Sequence, residues 1–177
     1  EANPRATGRL MTRAREIGVR TLLHAAPGKP EVLKVLLPLA DLTLCDAAVL
    51  AELVQLFPSA GFGDFAAGQL HALSDASLAT LCAAAFSGDA VVDLGPRGLF
   101  VAEREAGHRL VTGIAGAAHG PCRAEIVAGT LAARIDCGDS LRQAARHAVF
   151  AADLCGAGTQ EDIPRLAEVE KAMEERR

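Results

Sequence analysis

Tryptophan and tyrosine are absent from the 177 residues, and phenylalanine occurs only 6 times. That removes most of the aromatic platforms on which single-stranded nucleic acids stack. Cationic charge is also scarce: 18 Lys and Arg stand against 22 Asp and Glu, for a formal charge of -4. Phosphate neutralisation needs a basic stripe. The short groups Arg13-Ala14-Arg15 and Arg176-Arg177 read instead as solvated helix faces, so direct nucleic-acid binding is not expected. Long apolar runs are missing, because Arg, Asp, Glu or His interrupts each candidate before the ~18 residues of a membrane span. The opening Glu1-Ala2-Asn3-Pro4 lacks the basic-then-apolar start of a secretory signal. The five cysteines, Cys45, Cys82, Cys122, Cys137 and Cys155, are odd in number and contain no Cys-x-x-Cys pair. This disfavours a disulfide framework or a zinc site and points to an intracellular, reducing compartment, cytoplasm or organelle matrix. His24, His71, His108, His119 and His147 show no paired metal spacing, so no metal site is expected.

What is present is a core. Half the residues are apolar, enough at this length for one domain over 1–177. Asn3-Pro4 reads as a cap with proline in the first turn, followed by Ala6, Leu10, Met11, Ala14 and Ile17 on one helical face. A buried strand is expected over 19–24, a short helix over 30–37, a second strand over 41–45, and a helix capped by Asp46 through about 56. Residues 57–65 form the most loop-like segment and read as an insertion. Ser74 caps a helix to about residue 86, and alanine-rich helices follow over 124–135 and 140–154. A last helix over 164–177 places Leu166, Val169 and Met173 on one side. Helices alternating with buried strands imply an α/β fold with parallel strands, whose ligands bind in the loops beyond the strand ends.

The chain is organised around residues 90–103, Ala-Val-Val-Asp-Leu-Gly-Pro-Arg-Gly-Leu-Phe-Val-Ala-Glu, which read as strand, tight turn, strand. Pro96 sets φ at the turn, and Gly95 and Gly98 allow backbone angles or approaches that a Cβ would block. Residues 109–111 are expected to add a third short strand.

Leu94-Gly95-Pro96-Arg97-Gly98 and Ile126-Val127-Ala128-Gly129-Thr130-Leu131, with Leu23-His24-Ala25-Ala26-Pro27, residues 40–46 and the late segment 141–164, fall in an order that resembles the C-terminal portion of ribokinase-like, PfkB-type carbohydrate kinases. The resemblance implies a three-layer α/β/α sandwich with a mostly parallel sheet, its N-terminal half absent. It also implies ATP or ADP with Mg2+ wherever binding or activity is retained, and no cofactor otherwise. Partner proteins are expected to cover the missing half, and no membrane contact is expected.

Measured against that pattern, the chemistry is degenerate. The family's Gly-Ala-Gly-Asp loop stabilises the transferred phosphoryl with helix N-terminal amides and activates the acceptor hydroxyl with its Asp. The corresponding residues here are Pro121-Cys122-Arg123-Ala124, which supply neither the glycines nor the base. A one-residue shift of register would offer Glu125 instead. The family's Asn-x-x-Glu motif falls on Cys45 and Ala48, leaving Asp46 as a helix cap. By resemblance, Asp93, Gly95, Arg97, Gly98, Arg123, Gly156 and Gly158 are the candidate nucleotide-binding residues, with Asp93 where relatives carry threonine. The alternative is that the glycines only shape a hairpin and the arginines are solvated. The expected function is a structural or interaction subunit without phosphotransfer. The alternative is an ATP-dependent sugar or nucleoside kinase whose other half lies outside this sequence.

Overall fold

A computed structural model describes residues 3–27, 30–56, 67–118, 120, 122–156 and 163–176. The segment expected as an insertion over 57–65 lies outside the described residues, as do His119, Pro121 and Gly158. The order of elements is α1 (Pro4–Glu16), β1 (Leu22–His24), α2 (Pro30–Leu36), a 3-10 turn (Leu37–Leu39), β2 (Leu42–Asp46), α3 (Ala47–Leu56), α4 (Ala67–Leu70), α5 (Asp75–Ala85), β3 (Asp89–Asp93), a 3-10 turn (Gly95–Arg97), β4 (Leu99–Glu103), β5 (Gly107–Val111), α6 (Arg123–Asp136), α7 (Leu141–Cys155) and α8 (Leu166–Glu174). The strands form an open sheet in the order β1-β2-β3-β4-β5. β1 and β2 are parallel, with Leu22 opposite Leu42 and His24 opposite Leu44. The links from β3 to β4 and from β4 to β5 are too short for a crossover, so those strands run as hairpins and the sheet is mixed.

The caps follow the expected chemistry. Asn3 Oδ1 accepts the Arg5 N–H at 3.0 Å, Asp46 Oδ1 accepts the Val49 N–H at 2.8 Å, and Ser74 Oγ accepts the Ser77 N–H at 3.2 Å. Ser140 and Gln143 form a reciprocal box at the start of α7. No described helix is long and apolar enough to cross a membrane, and none of the five cysteines is joined in a disulfide.

The chain divides into two compact units, one of Glu1–Val92 with Ala102–His108 and the other of Asp93–Val101 with Arg109–Arg177. In the first, α3 packs against β2, α4 and α5 and buries Val49, Leu50 and Leu53 completely. The apolar face expected of α1 is only partly used. Met11 joins Leu36 and Ala40 in a small cluster, whereas Leu10 and Ile17 remain 71% and 60% exposed. β1 is shorter than the expected 19–24 because Thr21 turns to a side chain: its N–H donates to Asp41 Oδ2 at 2.8 Å. The Thr21 hydroxyl accepts the Asp41 N–H at 3.1 Å and directs its single proton to Asp41 Oδ2 or the Leu39 carbonyl.

These contacts set the acidity of Asp41. Burial opposes its ionisation, but the Thr21 N–H, the Thr21 hydroxyl and the Arg15 and Arg20 guanidiniums outweigh burial and hold its pKa below the 3.8 of a free aspartate. A carboxyl with a lowered native pKa stabilises the fold above its unfolded pKa, and that contribution fades as pH falls through the native value. The Tm difference between wild type and Asp41→Asn is therefore expected to be largest near neutrality and to shrink below pH ~4. A difference that stays constant down to pH ~3 would show that the ionised form is not what stabilises this corner.

In the second unit α6 packs on α7, and α7 on α8. Ala144, Ala145, Ala148, Ala151 and Ala152 of α7 are buried, and their small side chains permit close helix approach. Val169 of α8 is buried as expected. Leu166, the first residue of the helix, stands 50% exposed.

Candidate functional site

The turn after β3 is held from several directions within the second unit. Asp93 Oδ1 accepts the Gly95 N–H at 2.9 Å, and the carbonyl of Gly98 accepts the Leu94 N–H at 2.9 Å. Gly98 adopts φ +108, and a Cβ there would run into the backbone carbonyl oxygen of Val111. The glycine is required by the fold, whatever else the turn does.

Arg123 begins α6, and its guanidinium is buried between two carboxylates. Its Nε donates to Asp93 Oδ2 at 2.9 Å and, more distantly, to Oδ1 at 3.3 Å, while Nη1 donates to Asp153 Oδ1 at 2.5 Å. The side chains of Arg123, Asp93 and Asp153 are 8%, 13% and 4% exposed. The other oxygen of Asp153, Oδ2, accepts the Ile114 N–H at 2.7 Å. A Cβ on Gly113 would collide with that oxygen, so the bare backbone at 113 lets the carboxylate approach. With both carboxylates ionised the group carries one net negative charge, which the positive end of the α6 dipole favours. Arg123 Nη2 has no hydrogen-bond partner among the described residues. Taking three charged side chains out of water is costly, and their geometry offsets that cost only while all three are present.

Of the sequence candidates, the structure brings Asp93, Gly95 and Arg123 together through these bonds. Arg97 and Gly98 share the turn, Arg97 being half-buried. Gly156 closes α7 with φ +55. Glu125 lies exposed in the first turn of α6, apart from the Asp93–Arg123 pair. Cys45 is buried in β2, and Asp46 is occupied as the α3 cap. Among the described residues no group of three or more His, Cys, Asp or Glu side chains could hold a metal.

Asp153, Ile114 and Gly113 went unnoticed in the sequence. A signal for Asp153 existed, since it lies four residues after Val149 on the buried face of an alanine-rich helix, where an acid requires a cation.

The sequence matches no protein-family model, and no curated protein matches it significantly. Solved structures do match in fold. A ribokinase from Cryptococcus neoformans var. grubii serotype A, in complex with ADP, superposes with TM-score 0.78 at 20% identity over 94% of this chain and 56% of its own. A ribokinase from Arabidopsis thaliana, complexed with ribose and ATP, gives TM-score 0.74 at 16% identity over 97% of this chain and 53% of its own. A phosphofructokinase-2 mutant from Escherichia coli gives 0.71 at 14% over 98% and 52%. The chain thus spans about half the length of these relatives, and over that half it has the ribokinase-like fold of the PfkB carbohydrate kinases.

Proposed function

We propose that this chain is a ribokinase-like protein without phosphotransfer activity that serves as an interaction subunit. One observation carries the reading: the first residue of α6, where the resemblance puts the phosphate-cradling loop, is an arginine already bonded to Asp93 and Asp153. Two departures from the family pattern answer each other, because the aspartate standing for threonine at 93 is the counterion of the arginine standing for glycine at 123. A transferable phosphate at this helix end would meet one net negative charge and a guanidinium with two of its nitrogens in use. The residues present do not fit a terminal phosphate with Mg2+, since Asp93 and Asp153 bond Arg123 and Asp46 caps α3. The Leu94–Gly98 turn and Gly156 keep the small residues against which a nucleotide's base and ribose could lie.

The interaction role rests on apolar exposure. Leu10 and Ile17, Val19 after α1, and Val35 of α2 are all more than half exposed, and β1 ends the sheet with three residues. Apolar residues and a strand edge with no pairing partner among the described residues, in one unit, suit a polypeptide partner.

One preparation of the full-length product tests both halves of the proposal. ATP turnover with a panel of sugars and nucleosides is expected to stay at background, since a missing base costs ~10²–10⁴-fold and missing amide donors ~10²–10³-fold more. Light scattering is expected to show an assembly or a tight co-purifying protein. Turnover that Glu125→Gln abolishes would establish the kinase alternative, and an inactive, stable monomer would remove the interaction role.

A further inference from the structure

A cleft of about 690 Å3 lies in the second unit, bordered by β5, the start of α7 and the residue Arg176 that follows α8. Its walls carry Arg109, Arg142, Arg146 and Arg176, with Gln143 and Phe150, and no acidic side chain. In a chain of net charge -4, four guanidiniums around one cleft form a strong local reversal of sign. Arg146 is held in place, its Nη2 donating to the Met173 carbonyl at 3.2 Å near the end of α8. Arg109 and Arg176 meet no carboxylate among the described residues. α7 runs for 15 residues, so the positive end of its dipole adds to the field. Phe150, 3% exposed, supplies an apolar wall. The cleft shares Gly113 with the site described above, but none of Asp93, Gly95, Gly98, Arg123 or Asp153 lines it.

We propose that this cleft binds a compact anion bearing at least two phosphate groups, of the pyrophosphate or bisphosphorylated-sugar type. Arg109, Arg146 and Arg176, like charges around a concave surface, repel until an anion joins them, and a guanidinium fork matches phosphate oxygens two at a time. Phosphate fits better than carboxylate on charge density, since two phosphates place three to four negative charges, by order of magnitude, in a volume where two carboxylates place two. The apolar wall at Phe150 suits the carbon body of such a ligand.

The test is calorimetric titration of the full chain with pyrophosphate, a hexose 1,6-bisphosphate, inorganic phosphate, citrate and poly-glutamate at low and physiological salt. Pyrophosphate or the bisphosphate is expected to bind, about 10-fold or more tighter than inorganic phosphate or citrate, and to weaken as salt rises. The double variant Arg109→Gln/Arg176→Gln is expected to lose about 10-fold or more in affinity with Tm unchanged, because both side chains are exposed. Arg146→Gln provides a second, independent variant with the same expected loss of affinity. Absence of binding, binding that neither variant weakens, or binding of poly-glutamate alone would each overturn the proposal.

Discussion

Arg123→Met is expected to cost about 3–5 kcal/mol of stability, because it strands Asp93 and Asp153 as buried carboxylates without their shared cation. The loss exceeds what the arginine's contacts are worth alone: the penalty is the desolvation of the two acids left behind, at sites 13% and 4% exposed. In urea this lowers the unfolding midpoint by about 2 M for a slope of about 2 kcal/mol/M. The triple variant Asp93→Asn, Arg123→Met, Asp153→Asn should regain most of the loss. Its amide oxygens can still accept the Gly95 and Ile114 N–H groups, and no buried charge remains. If Arg123→Met costs under ~1 kcal/mol, or the triple variant is as unstable as the single, the three side chains do not act as a charge group. Such a result would also remove the main support for a site closed to phosphate.

Gly98→Ala is expected to destabilise by about 3–5 kcal/mol, combining two costs. The backbone at 98, with φ +108, lies where side chains are rarely tolerated, and the new Cβ would overlap the Val111 carbonyl oxygen and approach Thr112 Cα at 3.1 Å. Both obstacles are backbone, so no rotamer change relieves them. Gly107→Ala is the control: φ is +84, but nothing lies within 4 Å of the added Cβ, so only conformational strain of roughly 1–3 kcal/mol should appear. Thermal or urea unfolding of the two variants separates steric overlap from strain. Equal losses would show that close approach at 98 contributes nothing.

Much of the fold was written locally. Asn3-Pro4, Asp46, Ser74 and Ser140 mark helix starts because a short polar side chain reaches an orphan N–H two or three residues ahead. The glycines of residues 94–98 mark a turn because their backbone angles exclude a Cβ. Those are interactions between near neighbours, and the residue order contains them. The length of β1 was not legible, because it depends on Thr21 meeting Asp41 across 20 residues.

The sequence by itself determined the alternation of helices and strands and the tight turn at its centre, both matters of residue type and spacing, and by resemblance it gave the expectation that residues 121–124 carry neither the family's glycine loop nor its acid. Only the tertiary structure decided which side chains meet where α6 begins. Asp93, Arg123 and Asp153 are each separated by 30 residues from the next, and a buried charge finds its counterion in space. The same holds for the four arginines of the cleft, which are scattered along the sequence and form a concentrated field once β5, α7 and the end of α8 converge.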